Sequence, residues 1–154
     1  MFMHYFAYGS NMDPRAMHEA VSDAVLVGPG RLDGYRLVFN VYSDRWDGGA
    51  ANLEPDEKAH VWGVVWDVPA ADIPKLDTYV GHPTFYRQDR VGVSVGDDLV
   101  QCLTYHVAHQ QGYVRPTDRY VQHAHAAMRQ QGLPPEALDE FDRAARPPRP
   151  SIGT

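Results

Sequence analysis

Cysteine and long apolar runs are scarce in this chain of 154 residues. The single cysteine, Cys102, excludes an internal disulfide framework and a zinc cluster built on cysteines. No apolar run approaches the roughly 18 residues of a membrane-spanning helix, so we expect no membrane partner. The first ten residues lack both a basic start and a long apolar core, which argues against a signal peptide. These scarcities predict a soluble, cytoplasmic protein.

Clusters of basic residues are also lacking. The chain has 14 Lys and Arg against 20 Asp and Glu, a net charge of −6, and no group of four neighbouring basic residues. Because nucleic-acid binders usually present a basic face, we expect no nucleic-acid partner. Apolar residues make up 44% of the chain, which excludes global disorder. The length predicts one domain over residues 1–146, followed by a Pro-rich tail over 147–154.

The apolar patterning predicts many short strands and a few helices. Strands are expected over residues 3–7, 24–27, 35–42, 50–53, 60–68, 85–95 and 99–106, with a loop over 43–49 and a turn over 54–58. Helices are expected over 14–20, over 69–79 with Pro74 shortening or bending it, over 117–131 and over 135–145. Gly63 marks either a bulge or a close backbone approach. Too few strand–helix–strand units occur for a parallel doubly wound sheet, so the pattern favours a mixed sheet or barrel with helices outside it.

The segment from Phe6 to Met12 ends the first strand and enters the first helix. Gly9 allows a close backbone approach, and the N–H groups of Gly9, Ser10, Asn11 and Met12 are expected to be free before the helix. Such a turn is suited to a carboxylate or phosphate. The alternative is an ordinary strand-to-helix turn in which Asn11 or Ser10 caps the helix. The flanks of Ser10 do not form the G-x-S-x-G elbow of a nucleophilic serine.

A second segment of interest runs from Leu76 through Pro83 into the next strand. Asp77 and His82 are its titratable groups. The alternative to a functional role is that Asp77 bonds local backbone groups and His82 is exposed before a proline. His123 and His125 are two apart on a predicted helix and so face different directions. We predict no metal site, because no full ligand set is evident.

Five motifs occur in order along most of the chain, from about residue 3 to 131. They are FAYGSNM, GYRLVFN, GGAANLEP, VWGVVWDV, and LDTYVG followed by FYRQDRV. Together they resemble the gamma-glutamylcyclotransferase-like family. The resemblance implies a small α+β barrel of mixed strands with flanking helices. It also implies release of an amine or amino acid from a γ-glutamyl group that cyclises to 5-oxoproline, without metal or organic cofactor.

The resemblance assigns roles to particular residues. It implies that the backbone N–H groups of Tyr8-Gly9-Ser10-Asn11 hold the glutamyl carboxylate, which favours the interpretation of that turn as an anion site. Tyr8, Tyr86 and Tyr120 match positions that border the family's site, although a buried tyrosine commonly serves only the core. Trp62 and Trp66, four apart in one strand, are predicted to be core residues on the same face. The expected partner is a small γ-glutamyl or other carboxylate-bearing amine.

One position departs from the family. Its acid/base glutamate lies in an L-D-x-x-E-G pattern, and the matching residue before Gly81 is Val80. A valine cannot transfer protons, and general acid–base catalysis is typically worth about 10²–10⁴-fold. Three alternatives remain: an enzyme in which Asp77, His82 or Glu54 has taken over, a non-catalytic binding module, or an engineered glutamate-to-valine change.

Overall fold

The computed structural model describes residues 1–81, 86–107 and 112–148, and within these ranges five strands close into a barrel. The strands are β1 (Phe2–Ala7), β2 (Val25–Ser43), β3 (Gly48–Pro69), β4 (Tyr86–Val95) and β5 (Asp98–Val107). The α-helices are α1 (Pro14–Ala20), α2 (Ile73–Val80), α3 (Asp118–Gln130) and α4 (Pro135–Ala145). The order around the barrel is β1, β3, β2, β4, β5. The predicted α+β barrel of mixed strands with flanking helices is thereby confirmed.

The largest difference from the sequence prediction is the length of β2 and β3. They pair as one antiparallel ribbon from Val25 opposite Asp67 to Ser43 opposite Gly48, with three shifts in register. The predicted separate strands over 24–27, 35–42, 50–53 and 60–68 are therefore parts of two continuous strands. The predicted turn over 54–58 is wrong, since Pro55 pairs with Tyr35 inside β3. This part of the ribbon is largely exposed, so its composition is polar although its backbone remains paired.

The helices follow the prediction more closely. The bounds of α1 and α4 agree with it, and Thr117 caps α3 by accepting the Tyr120 N–H at 3.2 Å. The predicted helix over 69–79 is instead a 3-10 turn, Ala70–Asp72, followed by α2. Pro74 lies in the first turn of α2, which begins at Ile73, and its missing N–H costs nothing there. No helix of the described ranges is both long and apolar enough to cross a membrane.

Strand β1 lies between β3, with which it pairs antiparallel, and β5, with which it pairs parallel at Tyr5 and Leu103. The core includes the fully buried Phe6 and Trp66, whereas Trp62 is only half-buried. A Cβ at Gly63 would lie 2.4 Å from the Ala7 carbonyl oxygen. The register of β3 does not shift at this glycine, so a close approach, and not a bulge, explains it. This contact fixes the end of β1, where the candidate site begins.

Candidate functional site

A cavity of about 340 Å³ opens beside the end of β1, and it brings together segments far apart in the sequence. Its walls come from the turn after β1, the β2–β3 hairpin, the end of α2, and side chains of β4, β5 and α3. The residues predicted to bind substrate all line it, and they are Tyr8, Gly9, Ser10, Asn11, Tyr86 and Tyr120. Val80, which the sequence analysis singled out, lines it as well.

The turn after β1 is a 3-10 helix, Ser10–Met12. The Met12 N–H donates to the Gly9 carbonyl at 3.1 Å, so the expectation that it is free is wrong. Among the described residues, no hydrogen bond uses the N–H groups of Gly9, Ser10 or Asn11. Asp13 occupies the position before α1, and neither this helix nor the 3-10 turn has a side-chain cap. The turn therefore has three available donors and does not act as an ordinary cap.

The carbonyl groups of this turn are held by side chains that are not part of the cavity wall. Three consecutive carbonyls each take part in one hydrogen bond with a side chain. The Ser10 carbonyl bonds the His123 Nε2 at 3.1 Å. The Asn11 carbonyl accepts the Trp66 indole N–H at 3.0 Å, and the Met12 carbonyl accepts the Gln131 side-chain amide at 3.2 Å. In a planar trans peptide the C=O and the N–H of the next residue point in opposite directions. The bond to the Ser10 carbonyl thus fixes the direction of the Asn11 N–H, and the bond that the Gly9 carbonyl accepts from the Met12 N–H fixes that of the Ser10 N–H, so two of the three available donors are preorganised.

Position 9 has no room for a side chain, because the hydroxyl of Tyr120 lies close to it. A Cβ at this position would lie 2.9 Å from the hydroxyl of Tyr120, closer than side chains normally approach. That hydroxyl accepts the Ala51 N–H at 3.1 Å. The turn, the α3 tyrosine and the start of β3 are therefore packed against one another with no room for a side chain at Gly9.

Phenol groups form much of the remaining wall. The tyrosines that line the cavity are Tyr5, Tyr8, Tyr79, Tyr86, Tyr105 and Tyr120. Burial raises the pKa of all six above the usual value, that of Tyr86 to about 12, with the Arg45 charge opposing the rise at Tyr79 and Tyr86. At neutral pH these six tyrosines therefore offer hydroxyl groups and carry no negative charge.

The groups proposed from the sequence to replace the glutamate lie in different places. Val80 is the last residue of α2, and its half-buried side chain forms apolar wall. Asp77 is not among the described lining residues, but its Oδ1 accepts the Tyr105 hydroxyl at 2.5 Å. Glu54 lies in β3 rather than in a loop and pairs with Arg36 at 2.8 Å, so it does not serve the cavity. His82 lies outside the described residues.

Sequence reasoning missed several residues of the wall. Tyr5 and Tyr105 pack edge to face at 5.8 Å, because the parallel pairing of β1 with β5 places them side by side. In the β2–β3 hairpin, the Arg45 guanidinium lies 3.9 Å from the centre of the Tyr79 ring, and Trp46 packs 5.2 Å from Tyr120. Trp46, an apolar residue within the otherwise polar loop over 43–49, was the available sequence signal that this hairpin contributes to the cavity.

The two α3 histidines have separate roles. His123 contacts the turn after β1, whereas His125 lies 2.6 Å from Asp142 of α4. Within the described ranges, no three His, Cys, Asp or Glu side chains cluster as metal ligands would. Cys102 is buried as predicted, and burial raises the pKa of its thiol to about 12, which makes it unreactive at neutral pH.

Comparisons with known proteins agree on a single family. The family model described as "Gamma-glutamyl cyclotransferase, AIG2-like" matches residues 5–124. Gamma-glutamylcyclotransferase of Mus musculus is 30% identical over 143 residues, covering 89% of this chain and 76% of that protein. The Bos taurus protein of the same name is 30% identical over 138 residues, covering 86% and 73%. A solved structure named gamma-glutamyl cyclotransferase superposes with a TM-score of 0.88 at 26% identity, covering 100% of this chain and 93% of that one.

Proposed function

The chain belongs to the gamma-glutamyl cyclotransferase, AIG2-like family, and from this we propose that its cavity binds small γ-glutamyl amines or peptides and cleaves them slowly by cyclisation to 5-oxoproline. The observation that carries the proposal is the turn after β1. Its three available N–H groups, on Gly9, Ser10 and Asn11, are suited to the α-carboxylate of a glutamyl group. A carboxylate there receives charge-assisted hydrogen bonds, which are stronger than neutral ones.

The buried side chain of Asn11 supports the choice of a glutamyl group over a simple carboxylate. Asn11 is only 6% exposed; its Nδ2 donates to the Tyr5 hydroxyl at 3.2 Å, and its Oδ1 has no partner among the described residues. A buried acceptor without a partner costs free energy, which a ligand can restore by donating a hydrogen bond. The α-ammonium group of a glutamyl ligand is such a donor and lies next to its carboxylate.

The proposed reaction needs proton transfer and little else. The α-amine attacks the γ-carbonyl carbon, a new amide forms in the five-membered ring, and the original amide nitrogen leaves with a proton. One amide replaces another without oxidation or reduction, so we propose no cofactor. Because Val80 stands where the family places its acid/base glutamate, we expect turnover well below that of a member with the carboxylate.

A second candidate is a non-catalytic binding module for small carboxylates. Two observations favour it: the N–H groups of the turn are available to a carboxylate, and the wall at Val80 is apolar. The two candidates share the ligand and differ in whether 5-oxoproline forms.

Substitution at position 80 tests the proposal. Val80→Glu is expected to raise 5-oxoproline release from γ-glutamyl amides by about 10² or more, because it restores a general base. Val80→Gln is the matched control, with nearly the same size and no carboxylate, and it should stay at the wild-type rate. Rates are measured across pH and alongside melting curves, since a carboxylate beside apolar neighbours has a raised pKa and costs stability. A Val80→Glu variant that binds the ligand without any gain in turnover would contradict the catalytic proposal and favour the binding module.

A further inference from the structure

We propose that Asp77 accepts the substrate's proton through the hydroxyl of Tyr105, and that this relay supports the turnover left to a chain with valine at position 80. The inference rests on the proposed function, because it needs a γ-glutamyl ligand in the cavity. Tyr105 is the group that touches the ligand, and Asp77 acts through it.

The position of Asp77 in α2 suggests the relay. Asp77 precedes Val80 by three residues, and side chains three apart on a helix are neighbours on one face. The family's carboxylate position and Asp77 are thus one turn apart on the same side of α2. The carboxylate of Asp77 is half-buried and bonds the hydroxyl of Tyr105, a residue that lines the wall.

The contacts of Asp77 orient it for this role. Its Oδ1 accepts the Tyr105 hydroxyl at 2.5 Å and the Gln88 side-chain amide at 3.0 Å. Of the described residues that line the cavity, only Asp44 carries a carboxylate, and it is exposed in the hairpin. Asp77 is therefore the described carboxylate that is both half-buried and bonded to a residue of the cavity wall.

The protonated hydroxyl of Tyr105 is suited to passing a proton on to Asp77, and not to acting as a base by itself. Burial, followed by its hydrogen bond to Asp77, raises the pKa of Tyr105 far above the usual value. The phenol therefore keeps its proton at neutral pH and does not act as a phenolate. A hydroxyl can, however, accept one proton while it passes its own to a carboxylate.

The proton balance closes in two steps. First, a proton leaves the α-ammonium for the Tyr105 oxygen as the Tyr105 proton moves to Asp77, and the freed amine bonds to the γ-carbonyl carbon. Second, Asp77 returns its proton to Tyr105 as Tyr105 protonates the departing nitrogen, and the original C–N bond breaks. The ring nitrogen gives its remaining extra proton to the released amine, which leaves as an ammonium ion. Asp77 ends ionised and Tyr105 ends protonated, so the relay is ready for another turnover.

The test places Asp77→Asn in two backgrounds, the wild type and Val80→Glu. In the wild type, kcat for 5-oxoproline release should fall by about 10² with KM unchanged, as expected when a proton acceptor is lost. In Val80→Glu the same substitution should change kcat by less than about threefold, because the introduced carboxylate accepts the proton directly and the two effects are not additive. Tyr105→Phe, which keeps the ring, should repeat the pattern and provides a second variant if Asp77→Asn fails to fold.

Several results would overturn the relay. An equal loss of kcat in both backgrounds would show that Asp77 only supports the structure, and an unchanged wild-type kcat would show that it has no part in turnover. A wild type that binds γ-glutamyl amides in calorimetry and forms no 5-oxoproline would overturn the relay and leave the binding function standing. If neither wild type nor Val80→Glu binds these compounds, the proposed function itself fails.

Discussion

The turn after β1 and the C-terminal end of α2 line the same cavity, yet they are built differently. In the turn, three consecutive carbonyls are held by side chains from β3, from α3 and from the residue that follows it, and Asn11 is buried. The end of α2 presents the half-buried Val80 and then Gly81 in a left-handed conformation. One region is a polar array with fixed directions, and the other is an apolar surface at the end of an eight-residue helix.

This difference teaches that the turn after β1 and the end of α2 have separate structural supports in this fold. The side chains that orient the turn do not come from α2. A change at position 80 therefore leaves the donor directions intact, and a change behind the turn leaves α2 intact. Each region can be perturbed by itself, which allows the comparison to be tested from either side.

The strongest disruption of the turn is expected from Gly9→Val. Its Cβ would meet the Tyr120 hydroxyl at 2.9 Å, and the branched side chain would fill the space that the ligand's carboxylate needs. We expect γ-glutamyl affinity to fall by about 10² or more, since several charge-assisted hydrogen bonds are lost together. Calorimetric titration measures the affinity. Gly112→Val is the matched control, because a Cβ at Gly112 meets nothing within 4 Å. An unchanged affinity in a folded Gly9→Val protein would refute the anion site.

A smaller effect, mainly on stability, is expected from Trp66→Phe. This change removes the N–H that holds the Asn11 carbonyl and leaves space in the core, so the free energy of unfolding should fall by about 3 kcal/mol. Trp62→Phe is the control in the same strand: Trp62 is half-buried and its N–H has no partner among the described residues. Chemical denaturation should show that Trp62→Phe lowers the free energy of unfolding by less than about 1 kcal/mol. Equal losses would mean that the bond to the turn contributes nothing.

The smallest effect on the turn is expected from His123→Phe. Loss of one hydrogen bond to the Ser10 carbonyl should loosen the donor directions and weaken γ-glutamyl binding about five- to tenfold. His125→Phe provides the comparison, because His125 lies on the same helix and contacts Asp142 instead of the turn. The His125→Phe variant should bind the γ-glutamyl ligand with the wild-type affinity. A similar loss in both variants would assign the effect to α3 as a whole.

The sequence was sufficient for features whose signals are local. The turn after β1 is indicated by Tyr8-Gly9-Ser10-Asn11, a strand end followed by a glycine and a helix start. The helix of residues 135–145 is set by its proline start and apolar spacing. Val80 stood out only against the family's pattern, since nothing in its own surroundings shows that a carboxylate is missing.

Features that depend on distant pairing could not be predicted. Pro55 and its neighbours look like a turn because they are polar, and only pairing with β2 makes them strand. Tyr105 joins the cavity because β5 pairs parallel with β1, about 100 residues earlier in the chain. Its bond to Asp77 crosses between two elements whose proximity no local pattern encodes.

The place of β1 in the barrel has a consequence for the order of folding. This first strand pairs with β3 and with the last strand, β5, so the barrel cannot close during synthesis until residues near 103 have emerged. The turn that follows β1 is completed later still, because His123 and Gln131, which bond its carbonyls, are synthesised after β5. Pairing between such distant segments slows folding. A ribosome-bound fragment ending before α3 should therefore have the strands of the barrel and lack the finished turn after β1.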